Sequence, residues 1–196
     1  MQSPLLVVIH ERSCFSSCEK WHDSIFKFLP LLKNNSNLIL QIRNKSTLAL
    51  SEFVHLEDKL PLHPRILINI PSLQHTHYPR HRTENEIGTS GISASVHSVQ
   101  IAMKFREQYQ FFQFGPIYQP ISKIGVGLGL SAIDPFVVNQ LKIVVVGGVT
   151  LLNLHLILQK RVLGVGVIGS ILKSTNPIDT TVKFLHELQK YKIDNL

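Results

Sequence analysis

The chain has 196 residues, which is enough for one sizeable core and short for two, so we expect a single domain over residues 1–196. It is 44% hydrophobic and 17% charged, and no apolar run reaches the ~18–20 residues of a membrane helix. The N-terminal stretch lacks the basic flank of a signal peptide. We therefore expect a cytoplasmic protein with no membrane partner. The net charge of +7 comes from scattered Lys and Arg without a basic helix stripe or aromatic platform, which favours small anions over nucleic acid as partners.

Short apolar segments, each ending in polar residues or glycine, recur along the whole chain and predict about eight strands. The predicted strands are Leu5–His10, Leu38–Arg43, Arg65–Asn69, Gln74–Tyr78, Ile92–Val96, Phe111–Phe114, Ile143–Val146 and Val162–Ile168.

Segments with helical spacing lie between most of these strands. They cover about residues 21–32, 48–60, 98–108, 131–140, 151–159 and 176–191, the last with Pro177 in a first-turn position. Strands that alternate with helices indicate a parallel sheet covered by helices. Eight of them predict an α/β fold, a small (β/α)8 TIM barrel in which the helix between strands three and four is trimmed.

In such a barrel the active site lies where the strands end and the following loops begin. Polar residues and glycines occur at most of these ends, and we expect them to face one mouth. They are Glu11, Arg12, Gln41, Arg43, Lys45, Asn69, His97, Ser98, Ser122, Lys123, Gly147, Gly148, Gly169 and Ser170.

The last two strand ends predict a phosphate site. Gly147-Gly148 and Gly169-Ser170 follow consecutive strands, where glycine lets backbone N–H groups approach an anion and a helix start adds positive charge. The alternative is that these glycines only make tight turns. Ser122 and Lys123 follow the neighbouring strand, in a glycine-rich loop that we interpret as a lid over the phosphate.

Strand two ends in a second polar cluster. Gln41, Arg43 and Lys45 alternate, so their side chains share one side of the strand. The amide suits the edge of a heteroaromatic ring and the two cations suit a second anion, while a solvated strand end is the alternative. His97 follows a buried run and suits proton transfer; the alternative is a histidine satisfied by a backbone carbonyl.

Two groups of residues could ligate a metal, and we expect neither to do so. Cys14 and Cys18 have no further ligand nearby in sequence and are expected to be free thiols. The histidines at 75, 77 and 81 lack a carboxylate or cysteine partner. We interpret them, together with Arg80 and Arg82, as a basic surface edge.

Five segments in the expected order carry a resemblance to a known family. They are QIRNK (Gln41–Lys45), GISASVHSVQIA (Gly91–Ala102), FGPIYQPISK (Phe114–Lys123), VVVGGVT and GVGVIGSI. Together they resemble the thiamine phosphate synthase/TenI family of TIM barrels, from about residue 37 to the C-terminus. The resemblance implies a cytoplasmic enzyme of thiamine biosynthesis, and leaves open whether it assembles into a homo-oligomer.

The resemblance also implies roles for particular residues. Thiazole phosphate would bind by its phosphate to Gly147, Gly148, Ile168, Gly169 and Ser170. The pyrimidine and pyrophosphate side of the family pocket matches Gln41, Arg43, Lys45, Asn69, Ser95, Ser122 and Lys123, and the family histidine matches His97.

The chain departs from the synthases of this family at their magnesium ligands. They resemble one another in an Asn-Asp pair after strand three and an acid after strand four, whereas here Asn69 is followed by Ile70-Pro71 and Glu84 is a remote candidate. Pro120 replaces a pyrophosphate-binding threonine. Without magnesium a departing pyrophosphate is poorly neutralised.

Three functions are therefore compatible with the resemblance. The first is a TenI-like enzyme, which needs no cofactor and tautomerises thiazole phosphate by proton transfer. The second is a divergent synthase that couples hydroxymethylpyrimidine diphosphate to thiazole phosphate and uses Mg²⁺. The third is a non-catalytic ligand-binding or regulatory barrel.

Overall fold

Eight parallel strands form a nearly closed barrel in the computed structural model, which describes residues 3–73, 75–120 and 126–191. The strands are β1 (Leu5–Glu11), β2 (Leu38–Arg43), β3 (Ile66–Asn69), β4 (His81–Arg82), β5 (Ser93–Val96), β6 (Phe111–Phe114), β7 (Ile143–Val146) and β8 (Gly164–Val167). Their order is β3-β2-β1-β8-β7-β6-β5-β4. Between β3 and β4 the ladder is reduced to a parallel bridge from Ile68 to Arg80. The predicted (β/α)8 barrel is confirmed.

Helices cover the outside of this barrel. They are α1 (Cys18–Asn34), α2 (Ala49–Glu57), α3 (Val99–Lys104), α4 (Asp134–Val138), α5 (Leu154–Leu158), α6 (Gly169–Leu172) and α7 (Pro177–Gln189). The first and last helices are the longest. Each begins after a residue whose side chain caps it: Ser17 accepts a hydrogen bond from the N–H of Lys20, and Asn176 accepts one from the N–H of Asp179. Across the described ranges, no helix is both long and apolar enough to span a bilayer.

The connection from β3 to β4 contains no helix among residues 70–73 and 75–80, as the sequence predicts. The buried Arg80 takes its place, because its guanidinium donates to the carbonyl oxygens of Leu73 at 2.6 Å and Ile70 at 3.0 Å. These bonds satisfy polar backbone groups that a helix would otherwise have paired.

The predicted position of strand four, Gln74–Tyr78, is wrong. Tyr78 is buried, and its hydroxyl bonds to the carbonyl of Leu60 after α2 rather than contributing to a strand. The sheet takes up the chain only at His81–Arg82, where the backbone pairs with β5. Gln74 lies outside the described residues.

The barrel interior has an apolar layer below a polar one. Side chains alternate between the two faces of a strand, and Val7, Ile39, Leu67, Phe111 and Val144 pack together inside the barrel. The next inward positions toward the carboxyl ends of the strands are mostly polar: Gln41, Asn69, His81, Ser93, Ser95 and Gln113. The outward positions pack against the helices in a larger apolar core. A polar floor for a site therefore lies at the carboxyl ends of the strands.

Candidate active site

A cavity of about 420 Å³ opens at the carboxyl ends of the strands. All the predicted site residues within the described ranges line it: Gln41, Arg43, Lys45, Asn69, Ser95, His97, Gly147, Gly148, Ile168, Gly169 and Ser170. Ser122 and Lys123 fall outside the described residues. The roles of these residues remain predictions, but they share one cavity.

Three residues that the sequence placed at the mouth are absent from the cavity wall. Glu11 forms an ion pair with Arg43, with 2.9 Å between Oε2 and Nη1. Arg12 turns toward α2 and pairs with Glu52 at 2.8 Å. Ser98 caps α3 by accepting a hydrogen bond from the N–H of Ile101. Each has a structural partner that sequence position alone did not reveal.

The two glycine turns meet at one end of the cavity. Gly147 and Gly148 have φ angles of +89° and +63°, which residues with a side chain rarely adopt. Within the described chain, the backbone N–H groups of Gly147, Gly148, Gly169 and Ser170 make no hydrogen bond to another residue. Free N–H groups of this kind are what an anion requires.

Both turns also have structural reasons for glycine and serine. A Cβ on Gly147 would lie 2.3 Å from Pro116 Cβ, so the turn packs tightly against the segment after β6. The Ser170 hydroxyl donates to the carbonyl oxygen of Val149 at 2.6 Å, which ties the two turns together. Since α6 has four residues, its contribution is its free N–H groups rather than an extended helix dipole.

The middle of the cavity has an amide floor. Gln41 is buried inside the barrel and its Oε1 accepts from Nε2 of Gln113, across from it on β6. Asn69 lies nearby on the wall, and its buried Oδ1 has no hydrogen-bond partner among the described residues. Such a surface offers both donors and acceptors to a polar ring.

The cations of strand two are not equivalent. Arg43 is largely buried and its charge is balanced by Glu11. Lys45 is exposed at the rim. An anion at this side of the cavity would meet the exposed amine of Lys45 and a guanidinium already paired with a carboxylate.

His97 lies at the rim just after β5 and has a carboxylate beside it. Its backbone N–H donates to Glu84 Oε1 at 2.9 Å, and its ring Nδ1 lies 3.7 Å from Glu84 Oε2. The imidazole is 66% exposed, so it can reach a ligand that enters from solvent. Glu84 begins the 3₁₀ turn Glu84–Glu86 after β4, and Thr83 caps that turn.

His81 is inside the barrel, so the interpretation of His75–Arg82 as a basic surface edge is wrong for this residue and for the buried Arg80. The ring nitrogens of His81 contact two hydroxyls of β5, with Nδ1 2.8 Å from Ser93 Oγ and Nε2 2.9 Å from Ser95 Oγ. Burial, and then the charges of Arg43 and Lys45, lower the pKa of His81 to about 3. The imidazole is therefore neutral at neutral pH.

We expect the free energy of unfolding to fall as the pH drops below 6.5. Burial also lowers the pKa of His10, which packs against Phe28, to about 3. Both imidazoles therefore take up a proton only when the chain unfolds. Each should cost about 1.4 kcal/mol of stability at about pH 5.5 relative to neutral pH. Urea unfolding at the two pH values measures the loss.

The His10→Leu variant is the control for this pH effect, because it keeps an apolar group against Phe28 and removes one titrating ring. Its loss of stability between the two pH values should be smaller by about 1.4 kcal/mol. His81 still contributes, as do His22 and His63, whose pKa values burial also lowers. Glu86 also has a lowered pKa, but its protonation changes the stability only below its usual pKa of 4.5, which is outside the range from about pH 5.5 to neutral pH. Equal stability of the unmodified chain at both pH values would contradict the burial of neutral histidines.

The described residues do not provide a built metal site. They contain no group of three or more His, Cys, Asp or Glu side chains placed to hold an ion. Glu84 is the carboxylate on the cavity wall and is already bonded to the backbone of His97. Cys14 and Cys18 form no disulfide. The donor set does not fit a magnesium ion held by the protein alone.

Sequence reasoning missed several residues of the cavity. Thr83 and Asn85 escaped, and Glu84 was only a remote candidate for a metal ligand, because the fourth strand was placed too early. Gln113 escaped because it lies inside an aromatic strand rather than at a strand end. Placing the strand at His81 would have put Glu84 just beyond its end. The inward position of Gln113 follows from its alternation with Phe112 and Phe114.

Comparisons with known proteins give similarity of fold. No family model matches the chain, and no curated protein matches it. Two thiamine phosphate pyrophosphorylases are similar in structure. That of Pyrococcus furiosus is 18% identical over 94% of this chain and 96% of its own, with a TM-score of 0.61. That of Bacteroides thetaiotaomicron is 20% identical over 95% and 96%, with a TM-score of 0.61.

The similarity extends to barrels of other activities. KGPDC from Streptococcus mutans is 12% identical over 96% of this chain and 99% of its own, with a TM-score of 0.62. At these identities the likeness shows the fold that the chain shares with all three proteins, a barrel that hosts different chemistries.

Proposed function

We propose that this chain binds thiazole phosphate in the cavity and moves a proton on its ring, as a TenI-like enzyme. The observation that carries the proposal is that one cavity contains two turns with free N–H groups, an amide floor and the imidazole of His97. The fold is also that of thiamine phosphate pyrophosphorylases. Phosphate would bind at Gly147-Gly148 and Gly169-Ser170, and the ring would lie over Gln41 and Gln113.

In this arrangement His97 is the acid–base group. An imidazole can take a proton from one ring atom and return it to another, because its two protonation states are close in free energy at neutral pH. Glu84 holds the backbone of His97 at 2.9 Å and places a carboxylate 3.7 Å from Nδ1.

The second candidate is a divergent synthase, and one observation favours it. Glu84 and the unpartnered Oδ1 of Asn69 both belong to the cavity wall. One carboxylate together with substrate phosphates is a common way to hold Mg²⁺. Against it stands the absence, among the described residues, of a cluster that would hold the ion without substrate. A non-catalytic binding barrel remains the third candidate.

The first experiment compares thiazole phosphate with its unphosphorylated alcohol by calorimetric titration. We expect the phosphate ester to bind at least tenfold more tightly, since each ~1.4 kcal/mol from the N–H groups of the turns is a factor of ten in affinity. Equal affinities would contradict a phosphate site at the glycine turns.

A second assay separates the two enzymes. We expect no thiamine phosphate from thiazole phosphate, hydroxymethylpyrimidine diphosphate and magnesium, because the described residues supply one cavity carboxylate rather than a metal cluster. Robust product formation would reverse the order of the first two candidates.

A further inference from the structure

Three side chains connect the barrel interior with the cavity wall. Ser93 on β5 is fully buried, His81 on β4 is buried beside it, and Ser95 on β5 lines the cavity. The His81 ring joins the two hydroxyls, through Nδ1 to Ser93 and through Nε2 to Ser95. Neither the phosphate turns nor His97 take part in this chain.

The burial of Ser93 determines the direction of its hydrogen bonds. Among the described residues, its Oγ has one hydrogen-bond partner, which is His81 Nδ1. A buried hydroxyl proton without an acceptor is costly, so Ser93 donates to Nδ1. That nitrogen is then the unprotonated one, and the single N–H of a neutral imidazole is on Nε2.

The same direction continues to the cavity. His81 is neutral because burial holds its pKa near 3, so Nε2–H donates to Ser95 Oγ. The proton of Ser95 has no acceptor of its own among the described residues. Ser95 is half-buried at the cavity wall. A ligand that covers it excludes water from this proton, so the ligand then has to supply the acceptor.

We infer that Ser93 and His81 are positioning residues that make Ser95 a hydrogen-bond donor to the ligand, so that this side of the cavity selects a ring presenting an acceptor, such as a nitrogen with a free lone pair, over a ring presenting an N–H. The identity of that ring as thiazole phosphate rests on the proposed function. The hydrogen-bond direction rests on the protein alone.

The ¹⁵N resonances of the His81 ring test this direction on the ligand-free protein. We expect Nδ1 to resonate as an unprotonated nitrogen and Nε2 as a protonated one. The His81→Gln variant assigns the signals; if it fails to fold, Ser93→Ala assigns them, because it changes the neighbour of Nδ1. A protonated Nδ1, or averaged signals from both tautomers, would overturn the inference.

Binding tests the consequence. We expect Ser95→Ala to weaken thiazole phosphate about tenfold, the value of one hydrogen bond to a ligand, and to leave the affinity for inorganic phosphate unchanged. Ser51→Ala, on the exposed face of α2, is the control and should change neither affinity. Unchanged binding of thiazole phosphate to Ser95→Ala would overturn the inference. If the unmodified chain does not bind thiazole phosphate, the proposed function fails, and the tautomer still decides the inference.

Discussion

Replacing Gly147 with alanine should lower the free energy of unfolding by about 2–5 kcal/mol and abolish phosphate binding. A residue with a side chain at φ of +89° costs about 1–2 kcal/mol. The added Cβ would lie 2.3 Å from Pro116 Cβ and 2.4 Å from its Cα, an overlap that costs about 1–3 kcal/mol to relieve. Relief requires the turn to move, which displaces the N–H groups of Gly147 and Gly148. Urea unfolding and titration with thiazole phosphate measure the two effects.

Gly129→Ala is the matched control. Gly129 has a similar φ of +83°, but a Cβ there meets no atom of the described residues within 4 Å. Both variants also lose the same flexibility in the unfolded chain, so that effect cancels between them. Because φ of +83° with ψ of 161° is a conformation that residues with a side chain rarely adopt, we expect Gly129→Ala to lose about 1–3 kcal/mol and to keep its phosphate affinity. Normal phosphate binding by a folded Gly147→Ala protein would show that this turn is not the phosphate site.

Replacing His97 with asparagine should lower the rate of proton transfer on thiazole phosphate by about 10²–10⁴, the usual contribution of a general acid–base group. Affinity for thiazole phosphate should change little, because the proposed phosphate site is at the glycine turns after β7 and β8 rather than at His97. The rate is followed by NMR as tautomer conversion or as exchange of the ring proton with deuterated solvent. Affinity is measured on the same samples.

A surface pair provides the control for this variant. His186 Nδ1 lies 3.7 Å from Glu187 Oε1 and its side chain is 69% exposed, close to the 3.7 Å and 66% of His97 and Glu84. His186→Asn should therefore leave the rate unchanged. If His97→Asn retains full turnover, His97 is not the acid–base group. If neither the His97→Asn nor the His186→Asn protein turns over thiazole phosphate although both bind it, the non-catalytic barrel becomes the better hypothesis.

The placement of Glu84 shows why site prediction depends on strand boundaries. Histidines and prolines between β3 and β4 obscure the two-residue strand, and the sequence places that strand several residues too early. The site then lacks its carboxylate. Once β4 is at His81–Arg82, the turn Glu84–Glu86 follows directly and Glu84 reaches the backbone of His97. A strand this short has too few residues for alternation to identify it.

The sequence by itself determined the barrel, the trimmed connection between strands three and four, and the two glycine turns. Alternating strands and helices, glycines at strand ends and polar residues after apolar runs are local patterns, and local patterns are what a single chain displays. The sequence also predicted that most residues of the cavity wall lie together, because parallel strands all end at the same edge of a barrel.

Only the tertiary structure decided what these residues contact across the barrel. The pairs Gln41 with Gln113, His81 with Ser95 and Arg43 with Glu11 join different strands. Strand register and barrel closure set such pairs, and neither leaves a periodic signal in the sequence. Burial has the same origin: His81 and Arg80 are polar residues of a kind usually found at the surface, but the described residues between β3 and β4 form no helix and the fold encloses both side chains.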